Sequence, residues 1–550
     1  MRELSSHLSQ LFPIAPVAVA LSVVLFAGRW LTSAENLAAA LAARKRAAIL
    51  AIAIAAIVGR LSLLWLYPVP VPAVHDEFSY LLAADTFAHG KLTNPPHPMW
   101  IFFDTFHVLQ QPTYMSKYPP AQGATLALGQ LLGHPWLGVL LSMAFLCASV
   151  TWMLQAWFPP EWALLGGTFV LLRLGLFTYW INSYWGGAVA AAAGALVLGS
   201  FPRIIHHQRV RDSLLLAAGA ALLANSRPLE GFIFCIPVAI ALTVWLVSKT
   251  SPNFETTAPR VVLPLLCILT LTVLFAGYYN WRITGNPLLP PQALAQQRYE
   301  NMNLLAWQPQ KPPLHYSNPQ FDYYFNVALR QQFAPTFAGW KYRSWRWIKG
   351  TWQLFFGSLL SIPFLAVPWV FRDRRTRLLL VQLCLSVAGL LSVIYLEPHY
   401  AAPLVATIFA LWVQSMRHLR RWKLFGKPIG LALSRVIVLA ALLNVPVFIV
   451  QRALNAQTEA EPLSVSRARM VQQLDATPGL HLVIVRYSPD RTVQNEWVYN
   501  AADIDNSKVV WAREIPGSDL QPLFSYFNNR HLWLAEPDAS PPRLRPYPVP

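Results

Sequence analysis

The sequence predicts an all-α polytopic membrane protein with a small α/β domain at its C-terminal end. Three observations carry that prediction. Of 550 residues, 55% are apolar and only 12% charged, about half the charged share of a soluble domain. Apolar stretches long enough to cross a bilayer recur through most of the chain. The last 90 or so residues then change to short β-rich runs separated by polar turns.

A helix needs about 20 apolar residues to cross the hydrocarbon core. Stretches of that kind run near 11–31, 47–67, 135–157, 162–181, 184–202, 211–226, 228–248, 260–280, 351–371, 376–395, 400–416 and 432–451. They give about 11–12 crossings. Charge orders them: 43 Lys and Arg against 25 Asp and Glu leave a net +18. A basic excess points to nucleic acid when it clusters on one soluble face. Here it sits in short runs between spans, at Arg44-Lys45-Arg46, Arg209 and Arg211, Arg372 to Arg377, and Arg417 to Lys423. Cytoplasmic loops collect Lys and Arg in this way, so nucleic acid is set aside. Alternation then puts the long loops 68–134 and 281–350 and the tail from about 455 together on the outer face.

The chain divides into an N-terminal span and basic loop (1–46), a transmembrane core (47–454) and an outer α/β domain (455–550). Within loop 68–134, Phe78 to Phe87 has the spacing of a helix lying in the interface with its apolar side in lipid, and 121–133 reads as a second. Loop 281–350, rich in Pro, Tyr and Trp, reads as a lid or cleft wall. In the tail, Leu482 to Val485, Trp497 to Tyr499, Val509 to Trp511 and His531 to Leu534 read as strands, with a helix over 518–528. Cys147, Cys235, Cys267 and Cys384 all lie in apolar stretches and read as small core residues.

The chemistry concentrates on the outer face. His75-Asp76-Glu77 follows a span by a few residues. Two adjacent carboxylates at a low-dielectric boundary repel each other, which raises a pKa toward general-base work; a pair of acids capping a helix is the plainer alternative. Lys117 in Ser116-Lys117-Tyr118-Pro119-Pro120, Arg227 in Asn225-Ser226-Arg227-Pro228, and His399 before Tyr400 are cationic or ionisable groups on the side that usually lacks them. Together they suit a phosphate, whereas any one alone could snorkel to headgroups. Asn182, Tyr184 and Asn280 suit sugar hydroxyls or, more simply, helix termini. Arg60 and Arg173 fall inside spans and need partners there. The spacings of His75, His89, His97 and His107 match no compact metal motif.

A span leading to Asp-Glu, a Lys followed by paired prolines, an Arg-Pro after a middle span and a late His-Tyr-x-x-Pro together resemble the GT-C superfamily of membrane glycosyltransferases. The branch resembled is the family 39/83-like one, which contains protein O-mannosyltransferases and the lipid A aminoarabinose transferase, and the resemblance covers roughly residues 47–420. It implies a transferase that takes a sugar from a polyprenyl-phosphate donor on the non-cytoplasmic side of a bacterial inner membrane. Asp76 would be the catalytic base with Glu77 beside it, and Lys117, Arg227, His399 and Tyr400 would hold the donor phosphate. Tyr118 is inserted before the prolines, and His399 stands where the family often has Arg. His75, Tyr118, Asn182, Tyr184 and Asn280 would line the substrate. The acceptor is open among protein, lipid A, glycolipid and cell-wall glycan. The scheme requires no cofactor, and a divalent ion at Asp76-Glu77 stays open. The rival classes are a lipid or solute transporter or flippase, expected to carry repeats and mid-bilayer polar sites, and a polytopic scaffold acting through its tail.

Overall fold

The computed structural model describes residues 15–248, 253–316, 318–455, 463–488 and 496–548. It is mainly helical. Its helices are α1 (Ala15–Phe26), α2 (Gly28–Ala43), α3 (Lys45–Leu61), α4 (His75–Ala88), α5 (Pro120–Leu131), α6 (Pro135–Trp157), α7 (Pro160–Leu174) and α8 (Ala188–His207). After these come α9 (Val210–Ala224), α10 (Pro228–Val247), α11 (Phe254–Thr284), α12 (Phe337–Phe355), α13 (Arg377–Leu391), α14 (Val405–Arg420), α15 (Ile429–Asn455), α16 (Leu463–Ala476) and α17 (Gln521–Tyr526). Among the described residues, five helices are long and apolar enough to cross a membrane, or up to seven if each of two bent pairs counts as one span. Helices α6 and α8 are mostly buried, whereas α11 and α15 leave most of their apolar surface open, as lipid-facing helices do.

Several predicted spans end early or break. The part of 11–31 that is described is a pair of helices bent by 99°. The span near 162–181 is helical only to Leu174, because Arg173 turns away to donate to the carbonyls of Leu354 (3.0 Å) and Phe355 (3.2 Å). Those carbonyls belong to the last turn of α12, whose C=O groups have no partner within the helix. The predicted span 351–371 is also broken: α12 starts in what reads as loop, stops before Gly357 (φ 61°), and meets the next helical stretch at 102°. Arg60 is fully buried over the Trp136 ring, 4.8 Å from its centre, and reaches the Pro68 carbonyl. Arg173 thus spends its donors on backbone carbonyls, while Arg60 has the Trp136 face and one carbonyl and keeps its Nε and Nη1 buried without an acceptor.

The centre of the bundle is built on small residues. Ala190 to Ala193 and Ala195 of α8 are all buried, and small side chains let segments approach closely. The 3₁₀ segment Pro398–Leu404 crosses here, so close that a Cβ on Gly194 would sit 2.3 Å from the Pro403 carbonyl oxygen. That contact sets the height of His399 and Tyr400.

The loop after α3 holds α4, expected in lipid with one apolar side. None of its residues is fully exposed, and His75, Glu77, Tyr80, Leu82 and Ala84 are buried. A two-stranded hairpin, β1 (Val108–Leu109) with β2 (Met115–Ser116), and helix α5 cover one side. The C-terminal sheet covers another. It has the order β4 (Val509–Arg513), β3 (Leu480–Val485), β5 (Arg530–Glu536), β6 (Arg543–Pro546), parallel across the first three and antiparallel at β6. Trp497 to Tyr499 is not a strand, because the Arg467 guanidinium takes the Trp497 and Tyr499 carbonyls (both 3.0 Å) that a ladder would use. Helix α16 and β6 complete the domain.

Replacing Gly194 with Ala forces α8 and the His399 segment apart and should cost about 1–3 kcal/mol. Thermal melting in detergent checks this against Gly28→Ala, where a Cβ meets nothing within 4 Å and the melting point should hold.

Candidate active site

Prolines at 68, 70 and 72 keep the chain extended after α3, and α4 begins directly afterwards with His75, Asp76 and Glu77 in its first turn. Acids are favoured there by the helix dipole. Glu77, the third helical residue, folds back so that Oε2 accepts from the Ala73 N–H (2.7 Å) and the Val74 N–H (3.0 Å). Its Oε1 accepts from the Tyr184 N–H (3.0 Å), in the turn before α8. Burial pushes its pKa up, the three N–H donors pull it back in part, and Asp76 adds to the rise. With both oxygens occupied and only 3% of the residue exposed, Glu77 clamps two loops to α4.

Asp76 faces a different way. The Tyr118 hydroxyl donates to its Oδ1, and Oδ2 accepts no hydrogen bond among the described residues. Burial lifts the Tyr118 phenol well above its usual range, and Asp76 adds to that, so the hydroxyl stays a donor. The Tyr118 ring stacks on Tyr80 at 4.5 Å, and Ser79 of the same helix lies 2.7 Å from the Ser116 hydroxyl and donates to the His107 carbonyl (2.7 Å). These contacts fix the Lys117-Tyr118 strip against α4.

The two expected phosphate cations differ. Lys117 is 7% exposed, and its ammonium is 3.0 Å from Glu300 of loop 281–350. Arg227, between α9 and α10, lies over the Tyr400 ring at 4.4 Å and makes no ion pair or side-chain hydrogen bond among the described residues. The Tyr80, Tyr118 and Tyr400 phenols and the Glu230 carboxylate surround it electrostatically. His399 is buried, 3.3 Å from the Tyr179 hydroxyl and edge-on to Trp185 at 4.6 Å. Burial and then Arg227 hold its pKa well below the usual value, so it is a neutral imidazole and not a standing positive charge. Asp76 acts electrostatically on His399, Tyr400 and Tyr324. The structure thus gathers Asp76, Tyr118, Arg227, His399 and Tyr400, with Lys117 tied to one side.

The remaining expected residues are engaged elsewhere. His75 stacks on Phe106 at 4.5 Å. Asn182 bonds back to the Thr178 carbonyl (3.0 Å), Tyr184 donates to Pro70 (2.8 Å), and Asn280 closes the end of α11 onto Pro287 (3.1 Å). For these three the plainer reading, as fastenings of turns and helix ends, fits their partners. Glu300 and Tyr324 escaped the sequence reading. Glu300 was findable as one of two acids in loop 281–350. Beside Tyr400 a narrow crevice of about 10 Å³ lies between α10 and α13, walled mainly by Leu229, Ile233, Phe234, Leu390 and Leu404, with Glu230 and Ser386 also on its lining. No group of three or more His, Cys, Asp or Glu that could hold a metal lies together among the described residues.

Glu77→Gln turns one of two accepting oxygens into a donor facing an N–H, so melting should report a loss of about 1–3 kcal/mol. For His399, whose folded pKa is below its ordinary 6.5, stability is full above that value and falls as the pH drops beneath it. Between pH 7.5 and 5.5 the wild type should therefore lose more stability than His399→Gln.

No family model matches the chain, and no curated protein matches it. Among solved structures it is similar to ArnT from Cupriavidus metallidurans in the apo state, with 13% identity and a TM-score of 0.49 over 89% of this chain and 92% of that one. The ArnT structure bound to undecaprenyl phosphate gives 12% and 0.49 over the same shares. The oligosaccharyltransferase of Archaeoglobus fulgidus in complex with Zn and sulfate gives 10% and 0.48, over 89% of this chain and 67% of that one.

Proposed function

We propose that this chain is a membrane glycosyltransferase of the GT-C kind, which moves a sugar from a polyprenyl-phosphate donor to an acceptor hydroxyl on the non-cytoplasmic side. The carrying observation is a carboxylate with one open oxygen, Asp76, in the same cluster as an arginine that makes no ion pair among the described residues, Arg227. The acceptor hydroxyl gives its proton to Asp76 Oδ2 as its oxygen bonds to the anomeric carbon. The bond from that carbon to the phosphate oxygen breaks with inversion, and polyprenyl phosphate departs with its electron pair. Tyr118 holds Asp76 in place through the other oxygen. Arg227, held over the Tyr400 ring, meets the charge growing on the phosphate, which a fixed guanidinium does well in a low-dielectric site. Neutral His399 contributes as a hydrogen-bonding group. The crevice between α10 and α13 is too narrow for an isoprenoid chain as it stands, so in this reading the two helices part beside Tyr400 to admit one.

Lys117 has a second role in this reading. Its charge is balanced by Glu300, so it contributes less to the phosphate than Arg227 does. Glu77 braces the helix that carries the base and touches no substrate. The basic short loops favour an orientation with this site outside the cytoplasm.

The test uses purified protein in lipid nanodiscs with a panel of polyprenyl-monophosphate sugars, following released polyprenyl phosphate by mass spectrometry. Asp76→Asn should lower turnover about 10²–10⁴-fold with an unchanged melting point. Arg227→Gln should cost about 10²-fold or more and Lys117→Gln clearly less. Full turnover by a folded Asp76→Asn protein overturns the reading.

A further inference from the structure

A second polar cleft, of about 650 Å³, lies at the other end of α14 from Tyr400. Helix α14 has 16 residues and is therefore about 24 Å long. With the Pro398–Leu404 segment ahead of it, that separation approaches the hydrocarbon thickness of a bilayer. In the orientation proposed above, the cleft therefore lies toward the opposite membrane face from Tyr400.

Its walls are Trp162 of α7, Arg417 and Arg420 of α14, the turn Arg421-Trp422-Lys423, and Pro428 and Leu431 at the start of α15. Two of the cations already have work. Arg420 bonds both oxygens of Glu35 at 3.0 Å, and Arg417 reaches the Gln414 side-chain oxygen at 2.8 Å. Arg421 and Lys423 are exposed and have no side-chain partner among the described residues. The Trp422 indole N–H is buried without an acceptor. Glu161 is the one carboxylate on the lining; it is exposed and makes no ion pair among the described residues.

The cleft thus combines surplus positive charge with a wall of Trp162, Pro428 and Leu431, at the end of α14 remote from Tyr400. A soluble phosphate would use only the charge. A phospholipid uses both parts, with its phosphodiester against the cations and its upper acyl carbons along the apolar wall. We propose that this cleft is a headgroup site for an anionic phospholipid, which ties the α7, α14 and α15 ends to the inner leaflet.

The experiment uses the full chain in detergent. Dioleoylphosphatidylglycerol, dioleoylphosphatidylcholine and inorganic phosphate are added separately, followed by thermal melting and native mass spectrometry. Phosphatidylglycerol should raise the melting point more than phosphatidylcholine and remain bound in the gas phase. Arg421→Gln with Lys423→Gln should weaken phosphatidylglycerol binding about tenfold or more. Both residues are exposed, so the lipid-free melting point should hold. If the double variant does not fold, competition between the two lipids on the wild type decides. Equal responses to the two lipids, or an undiminished response in the double variant, overturn the site. A shift of the same size with inorganic phosphate alone overturns the lipid assignment. None of these readouts depends on glycosyl transfer.

Discussion

The site depends on one buried carboxylate that does no chemistry in this account. Glu77 accepts three backbone N–H groups from two separate stretches of chain, the approach to α4 and the turn before α8. Leaving those donors buried and unmet would cost about 1–3 kcal/mol each. The side chain therefore fixes both the start of α4 and its rotation. With Glu77 pointed into the bundle, its neighbour Asp76 is turned to Tyr118 and keeps an open oxygen. Two adjacent acids, alike on paper, take opposite duties because one is surrounded by N–H donors and the other is not.

A second consequence concerns positive charge. Buried cations are tolerated when paired or lying on aromatic or carbonyl partners. Arg60 and Arg173 meet that condition within the bundle, and Lys117 meets it through Glu300. Arg227 has an aromatic face beneath it, feels Glu230 only through space and makes no ion pair among the described residues. The contrast singles it out as the cation with unused capacity in the cluster that Asp76 shares through Tyr118 and Tyr400. The C-terminal domain bears on the same helix: Tyr499 stacks on Phe78 at 4.1 Å, and the Ala502 N–H donates to Asp85 (2.7 Å). Its strands share a core with Leu82, Phe102 and Tyr114 of loop 68–134, so the domain stiffens the mount on which the carboxylates sit.

Much of this was legible in the sequence wherever one stretch of chain decides the outcome. Runs such as Pro135–Trp157 and Ile429–Asn455 contain apolar stretches long enough to cross a bilayer and read as spans. The strands Leu480–Val485 and Arg530–Glu536 contain short apolar, β-rich runs set between polar turns. What was not legible rests on partners far away in the chain. Helix α7 ends where Arg173 reaches α12, 182 positions on. Trp497 to Tyr499 has strand composition, but its carbonyls go to Arg467. Glu300 meets Lys117 across 183 positions, and nothing local marks either as the other's partner. Asp76 and Glu77 were visible as a pair, but their division of labour comes from the Tyr184 turn and from Tyr118.

The most direct measurement is a cryo-EM structure of the full chain with a polyprenyl phosphate. The account predicts phosphate density against the Arg227 guanidinium, on the same side of the bundle as Asp76, with the first isoprene units parting α10 from α13 beside Tyr400. Phosphate density at the Arg417–Lys423 end alone, or an outer-face phosphate away from both Arg227 and Asp76, would contradict it.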